Sequence, residues 1–565
     1  MVQRRKLQLI LCWHMHQPDY RHALTQRFEM PWTYLHALKD YTDMAAHLER
    51  HPDMSAVVNL VPSLVDQLDD YARQYAAGVW HDPLLQWLQS AHLDDLSGTD
   101  RQRLIDACLR CHAPKMIDPF PPYRLLRDWV QRMKQDEVEP GLYVSGQFLA
   151  DLLVWYHLAW LGESVRRSEP LVARLMTQGK GFTLEDRHEL NALIGTLLTQ
   201  ILPRYRALQA TGRVELSTTP AYHPIMPLLL DFNAAREAVP HLALPMSPAY
   251  PGGAARAVAQ VREAQASYQT HFEQSARGVW PGEGALSTES LDILADQGFR
   301  WTASSETVLA NSLRLSWGQT VPEKSAWLYQ PYLHTSKHGS ILCYFRDDRL
   351  SDRIGFDYAQ WESGAAAQDF VAQLEAIYHA GPATHDQVVT VILDGENAWE
   401  YYPYNGFYFL DHLYQLLTEH AFIRTTTFAA HSAKVTRAAP LNQMVAGSWV
   451  YGSLTTWMGD AYKNAAWDLL VKAKECYDHR VATLSATQQV LATRQLSVCE
   501  GSDWFWWFGD YNNADSVRTF DELYRLNLTN LYLLMGVEPP TLLSHPLSQG
   551  ARGHEAGGAM RRTSY

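Results

Sequence analysis

The run Val388-Val389-Thr390-Val391-Ile392-Leu393 restricts the architecture more than any other part of the chain. Five of its six residues are β-branched and no polar alternation interrupts it, so it predicts a strand buried on both faces. Strands of that kind belong to parallel sheets covered by helices. Shorter strand-like runs at 7–13, 56–61, 214–218, 278–280, 299–303 and 341–345 alternate with helical stretches, of which the first five fall at 31–50, 64–92, 98–112, 142–168 and 184–210. That alternation implies an α/β fold with the sheet inside. From about 405 onward strands become rare and amphipathic helices dominate; the best, 519–535, carries Phe520, Leu523, Leu528 and Leu531 on one side and stops at Gly536. The expected organisation is a catalytic barrel-type domain over 1–404 with helical insertions, a helical domain over 405–543 that completes the cleft, and a Gly-, Ser- and Arg-rich tail over 544–565 expected to be disordered.

In barrels of parallel strands, functional groups gather at the C-terminal strand ends. Asp394 ends the buried run. Glu283 lies in Gly278-Val279-Trp280-Pro281-Gly282-Glu283-Gly284, where a Pro/Gly loop after a strand holds a carboxylate out into a cleft. A third acid, Asp503, sits in the tryptophan-rich segment Gly501-Ser502-Asp503-Trp504-Phe505-Trp506-Trp507. Period-two geometry puts His14 and His16 on one face at the end of the first strand. Each feature alone has a plain structural reading, since an acid after a strand is often a helix N-cap and a histidine can be satisfied in a core. Together they suit glycosidic cleavage, which needs one protonated acid at the leaving oxygen and one carboxylate that attacks or stabilises the anomeric carbon.

The charge balance agrees with a neutral substrate. Against 48 Lys and Arg stand 61 Asp and Glu, a net charge of −13 that disfavours a nucleic-acid surface. The 19 Trp and 29 Tyr suit stacking on sugar rings as well as filling a core. No apolar stretch long enough for a membrane span occurs and no signal peptide is read at the amino terminus, so a cytoplasmic location is expected. Six scattered cysteines are expected to be reduced. Cys108-Leu109-Arg110-Cys111-His112 has the spacing of covalent haem attachment, but 101–111 reads as a helix with an apolar face, so no cofactor is expected. Nor is a metal: His14 and His16 could supply two ligands to a divalent ion, as in deacetylase- or mannosidase-like barrels, yet spacing marks no third.

Five separated segments carry a resemblance: His14-Met15-His16-Gln17-Pro18; Gly212-Arg213-Val214-Glu215-Leu216-Ser217-Thr218 with His223; Gly278 through Glu283; Val391-Ile392-Leu393-Asp394-Gly395-Glu396-Asn397; and Gly501 through Trp506. In this order they resemble the five motifs of glycoside hydrolase family 57, within it the amylopullulanase or α-amylase type. The stretches around Trp32, from Arg346 to Asp352, and around Trp449 also look familial. The resemblance implies a distorted (β/α)7 barrel with a helical C-terminal domain. It implies Glu283 as nucleophile and Asp394 as general acid/base of a retaining hydrolase of α-glucans or maltooligosaccharides. His14, His16, Glu215, His223, Arg346, Asp352 and Asp503 are then expected to bind the sugar, with Trp280, Trp504 and Trp506 as apolar walls. The form of Asp394-Gly395-Glu396-Asn397-Ala398-Trp399-Glu400, similar to that of amylopullulanases, implies hydrolysis of α-1,4 links, with α-1,6 links as a further expected substrate. A 4-α-glucanotransferase or branching enzyme remains the alternative, because the same intermediate can be captured by a sugar hydroxyl. A non-catalytic glucan-binding protein is disfavoured by the presence of both carboxylates.

Overall fold

The computed structural model describes residues 5–317, 322–381, 386–509, 511–548 and 550. Among these residues ten strands form one sheet: β1 (Leu7–Met15), β2 (Ala56–Leu60), β3 (Val214–Ser217), β4 (Gly278–Val279), β5 (Trp301–Ser305), β6 (Tyr332–Thr335), β7 (Ser340–Arg346), β8 (Gln387–Asp394), β9 (Ile423–Thr425) and β10 (Ala439–Pro440). Seven of them make a parallel barrel in the order β1-β2-β3-β4-β5-β7-β8. β1 is its axis of assembly, with His14 opposite Asp394 of β8 and Cys12 opposite Val57 of β2. Two joints are thin: the single Thr218–Val279 bridge between β3 and β4, and Arg346 opposite Thr390 between β7 and β8. β6 lies antiparallel on β7, β10 follows β6, and β9 extends the lower half of β1.

Strand parity sorts the side chains. Ile10, Cys12, Val57, Trp301, Ala303, Tyr344, Val388 and Ile392 pack together inside the barrel, whereas Leu9, Leu11, Trp13, Val389, Val391 and Leu393 pack with the surrounding helices. The predicted burial of β8 on both faces follows from this division. Continuing the inward parity to the strand ends brings His14, Asn59, Ser217, Arg346 and Asp394 to the upper rim. A one-residue slip would turn all five outward. The lower interior is filled from the helical C-terminal region: Phe428 stacks on Trp301 with ring centroids 4.0 Å apart.

The helix expected at 64–92 is broken at Gly78, in the left-handed region at φ 67°, into Pro62–Ala77 and Pro83–Gln89. That at 31–50 is interrupted by a π-turn at Ala37–Tyr41, which buries the Lys39–Asp40 ion pair. The stretch expected as helix at 101–111 ends at Cys108, and all six cysteines are free. β6, β9 and β10, two to four residues long, lack the apolar runs that announce the others. Beyond β8 the helices Phe407–Glu419, Ala461–Arg480, Ala486–Cys499 and Ala514–Leu534 form the helical region. Of the expected tail, the Leu547 amide still donates to Asp521; residues 549 and 551–565 lie outside those described. Among the described residues no helix is long and apolar enough to cross a membrane.

Candidate active site

Glu283 and Asp394 open into one cleft of about 750 Å³ above the barrel, with His14, His16, His223, Arg346, Asp352, Asp503 and Trp506 around it. Glu283 is held in the left-handed region at φ 56°, a conformation that costs a non-glycine residue on the order of 1–3 kcal/mol. The surroundings enforce it. Trp449 donates through its backbone N–H to the Glu283 carbonyl (3.1 Å) and through indole Nε1 to Oε2 (2.8 Å). On either side Gly282 and Gly284 allow close approach: a Cβ would meet the Pro224 carbonyl at 2.6 Å in the first case and the Trp280 ring at 2.6 Å in the second. Asp394 accepts from Asn397 Nδ2 at 2.8 Å.

Both carboxyls titrate above their ordinary range, each mainly through burial. Glu283 is pushed up to about 8, with Trp449 opposing the shift and the charges of Asp394 and Asp503 adding to it. Asp394 is raised by burial against the opposing Asn397 hydrogen bond and the influence of the neighbouring His16 ring and Arg346 guanidinium. Burial of both carboxyls favours retention of a proton by the pair at neutral pH, and Glu283, the more strongly raised, is its favoured holder. Arg346 is fixed by bonds to Asp348 (2.7 Å) and the Ile392 carbonyl (2.9 Å), with its guanidinium 4.8 Å from the Trp449 ring centre. Glu396, nearly inaccessible below Asp394, is driven well up by burial and accepts from the His16 amide.

Three histidines form a stack beside Glu283. His16 and His223 lie 3.9 Å apart at 15°, His14 and His223 5.1 Å apart at 20°. The proton of His14 follows from its partner. Asn59 Nδ2 donates to Ser217 Oγ and the Thr218 carbonyl, so its Oδ1 faces His14 Nδ1 at 2.6 Å and assigns the proton there. His14 Nε2 lies 3.1 Å from His223 Nε2, toward which the Glu283 amide also donates at 3.4 Å, and His223 Nδ1 lies 2.8 Å from Ser502 Oγ. Burial lowers His14 to about 3 and His223 well below its ordinary value, keeping both neutral. His16 Nε2 meets both oxygens of Asp503, at 2.8 and 3.0 Å. Ligand atoms of His16, His223 and Asp503 lie within 4.8 Å of one another, a candidate metal-holding group that includes one of the two histidines spacing marked and two residues it did not. The ring planes of His16 and His223 are nearly parallel, and both oxygens of Asp503 already engage His16 Nε2.

Three residues expected at the sugar are elsewhere. Glu215 points into the barrel below the cleft, where Oε1 accepts from Trp301 Nε1 (2.7 Å) and Oε2 from the Ala429 amide (2.8 Å). Its place on β3 is one pair below Ser217, and strand parity carries it inward but not up to the rim. Trp280 is fully buried behind Trp449, ring centres 5.2 Å apart, and supports it. Trp504 is buried in the helical region, donating to the Val498 carbonyl at 2.7 Å. The aromatic surface comes instead from Trp449, Trp506, Trp507, Trp32 and Trp160. Trp449 and Trp32 lie in stretches that looked familial but carried no assigned role, and Ser502 is the neighbour of Asp503.

Several solved structures share this fold at low sequence identity. A branching enzyme from Thermococcus kodakaraensis is 15% identical, with 94% of this chain and 88% of that one covered at a TM-score of 0.54. An α-amylase from Thermotoga maritima is 15% identical over 96% of both chains, TM-score 0.55. A 4-α-glucanotransferase from Thermococcus litoralis is 13% identical over 94% of this chain and 60% of that one, TM-score 0.51. No curated protein matches. The family model of glycosyl hydrolase family 57 matches residues 10–440, from the first barrel strand to the end of β10 and across four of the five motifs, and the chain belongs to that family.

Proposed function

We propose that the protein acts on α-glucosidic bonds of starch-like glucans or maltooligosaccharides with retention of configuration, Glu283 attacking the anomeric carbon and Asp394 serving as acid and then base. The observation that carries this reading is the pairing of those two carboxyls across one cleft, close enough for the charge of Asp394 to raise Glu283, beside a platform of three stacked histidines and the indole faces that line the cleft. The shared proton serves the first step when it sits on Asp394. Trp449 Nε1, which can only donate, stabilises the Glu283 carboxylate, and positive charge developing at the anomeric carbon stabilises it further, so the productive arrangement is reached as the transition state forms. Asp394 gives its proton to the departing oxygen, then takes one from the acceptor that releases the glycosyl-enzyme.

Water as acceptor makes the enzyme a hydrolase, the reading favoured by the amylopullulanase-like form of the Asp394 segment. A sugar hydroxyl makes it a transferase, the reading favoured by the branching enzyme and glucanotransferase of similar fold. Purified protein incubated with maltooligosaccharides, pullulan and cyclodextrin separates them. Shorter products alone indicate hydrolysis, longer or branched products indicate transfer, and no change in any of the three contradicts the proposal.

A further inference from the structure

At the other end of the barrel a second cleft of about 630 Å³ is lined by three arginines, Arg277, Arg300 and Arg437. Arg277 and Arg300 stand just before β4 and β5 and are joined by a backbone hydrogen bond from Arg300 N to the Arg277 carbonyl at 2.8 Å. Ser340, at the start of β7, also lines this cleft, while Arg346, at the end of β7, lines the catalytic one. About 20 Å of strand therefore separates them. All three arginines are exposed, none forms an ion pair or side-chain hydrogen bond among the described residues, and no carboxylate lines the cleft. Glu215, inside the barrel and already hydrogen-bonded to Trp301 and the Ala429 amide, is influenced by Arg277 less than by those partners.

Three uncompensated guanidiniums in one concavity are unusual in a chain of net charge −13. Like charges repel, so bringing them together without a counter-ion disfavours the arrangement, while their planar forks match the oxygens of a phosphate. The remaining walls are of two kinds, apolar at Leu333, Leu342 and Val435 and hydroxylic at Ser340 and Ser432. Such walls suit an organic body carrying hydroxyls. A polyanion is a poorer fit, because a recessed patch on an acidic molecule cannot follow a nucleic-acid backbone.

We propose that this cleft is a binding site for a small phosphate ester, with the phosphate among Arg277, Arg300 and Arg437 and its organic part against Leu333, Leu342 and Val435. The inference is independent of the glucan reading, since none of these residues touches the catalytic cleft. Calorimetric titration of the full chain with inorganic phosphate, glucose 1-phosphate and glucose tests it. Glucose 1-phosphate should bind saturably and about tenfold or more tighter than inorganic phosphate. Arg300→Gln and Arg437→Gln should each weaken it about 10- to 100-fold, leaving Tm and turnover of maltooligosaccharides unchanged. Absence of saturable binding by either phosphate, or binding undiminished in both variants, would overturn the site. Inorganic phosphate or plain glucose binding as tightly as the ester would overturn its assignment to a phosphate ester.

Discussion

Replacing Trp449 by Phe isolates the control of the proton shared by Glu283 and Asp394. Phe retains most of the ring packing against Trp280 and under Arg346 but removes the indole N–H that stands 2.8 Å from Glu283 Oε2. A hydrogen bond to a charged group contributes about 1.5–3 kcal/mol. Its loss falls on the ionised form alone, so the Glu283 pKa, already pushed up to about 8 chiefly by burial, rises by a further one to two units or so. The nucleophilic form then appears only at higher pH and is rarer at every pH below that. Initial rates on a maltooligosaccharide across roughly pH 4 to 9 should show kcat/KM lowered about 10- to 100-fold at neutral pH and the acidic limb displaced upward. An aryl α-glucoside with an activated leaving group should suffer equally, because the deficit lies in the nucleophile. A folded variant with kcat/KM within about twofold of the parent and an unmoved acidic limb would refute this account of Trp449.

Asp394→Asn should lose about 10²–10⁴-fold on glucans and much less on activated aryl glucosides; equal losses on both would remove Asp394 from the acid role. His16→Ala should lower turnover while circular dichroism and Tm stay close to the parent's, since His16 lies at the cleft surface and contacts Asp503 rather than the core. An unfolded or fully active variant contradicts its place in the platform. Glu215, raised by burial to about 7 from an unfolded value near 4.5, binds more protons folded than unfolded between those values. Its contribution to stability is thus fully present below pH 4.5 and is lost as pH rises to about 7, at most about 3 kcal/mol. Glu215→Gln should therefore flatten the fall in Tm over that interval, and parallel profiles for variant and parent would show that Glu215 does not titrate there.

Much of the scaffold could be read from side-chain pattern. β8 has a nearly unbroken β-branched run, and β1, β2, β3 and β7 have apolar runs whose parity already assigns His14, Asn59, Ser217 and Arg346 to one side. β6, β9 and β10 escaped because short edge segments bury too little to leave a pattern. At the site, residue type was legible but depth was not. Glu215 and Ser217 share a face of β3, and only the closed barrel distinguishes the interior position from the rim. Trp280 and Trp504 sit in the same kind of aromatic context as Trp449 and Trp506, yet tertiary packing, on Trp449 for Trp280 and on Tyr524 for Trp504, decides which indole lines the cleft. The histidine stack joins His14, His16 and His223 through Asn59 and Ser502, a set of long-range contacts that no local spacing encodes.

The central claim is that Glu283 forms a covalent bond to the sugar. It is tested most directly by mass spectrometry of the Asp394→Asn variant after brief reaction with an α-glucosyl donor bearing an activated leaving group. Without acid/base assistance the second step slows, and the glycosyl-enzyme should accumulate as a single added glycosyl unit on the peptide containing Glu283. An adduct on any other residue, or release of product with inverted configuration and no adduct at all, would contradict the mechanism.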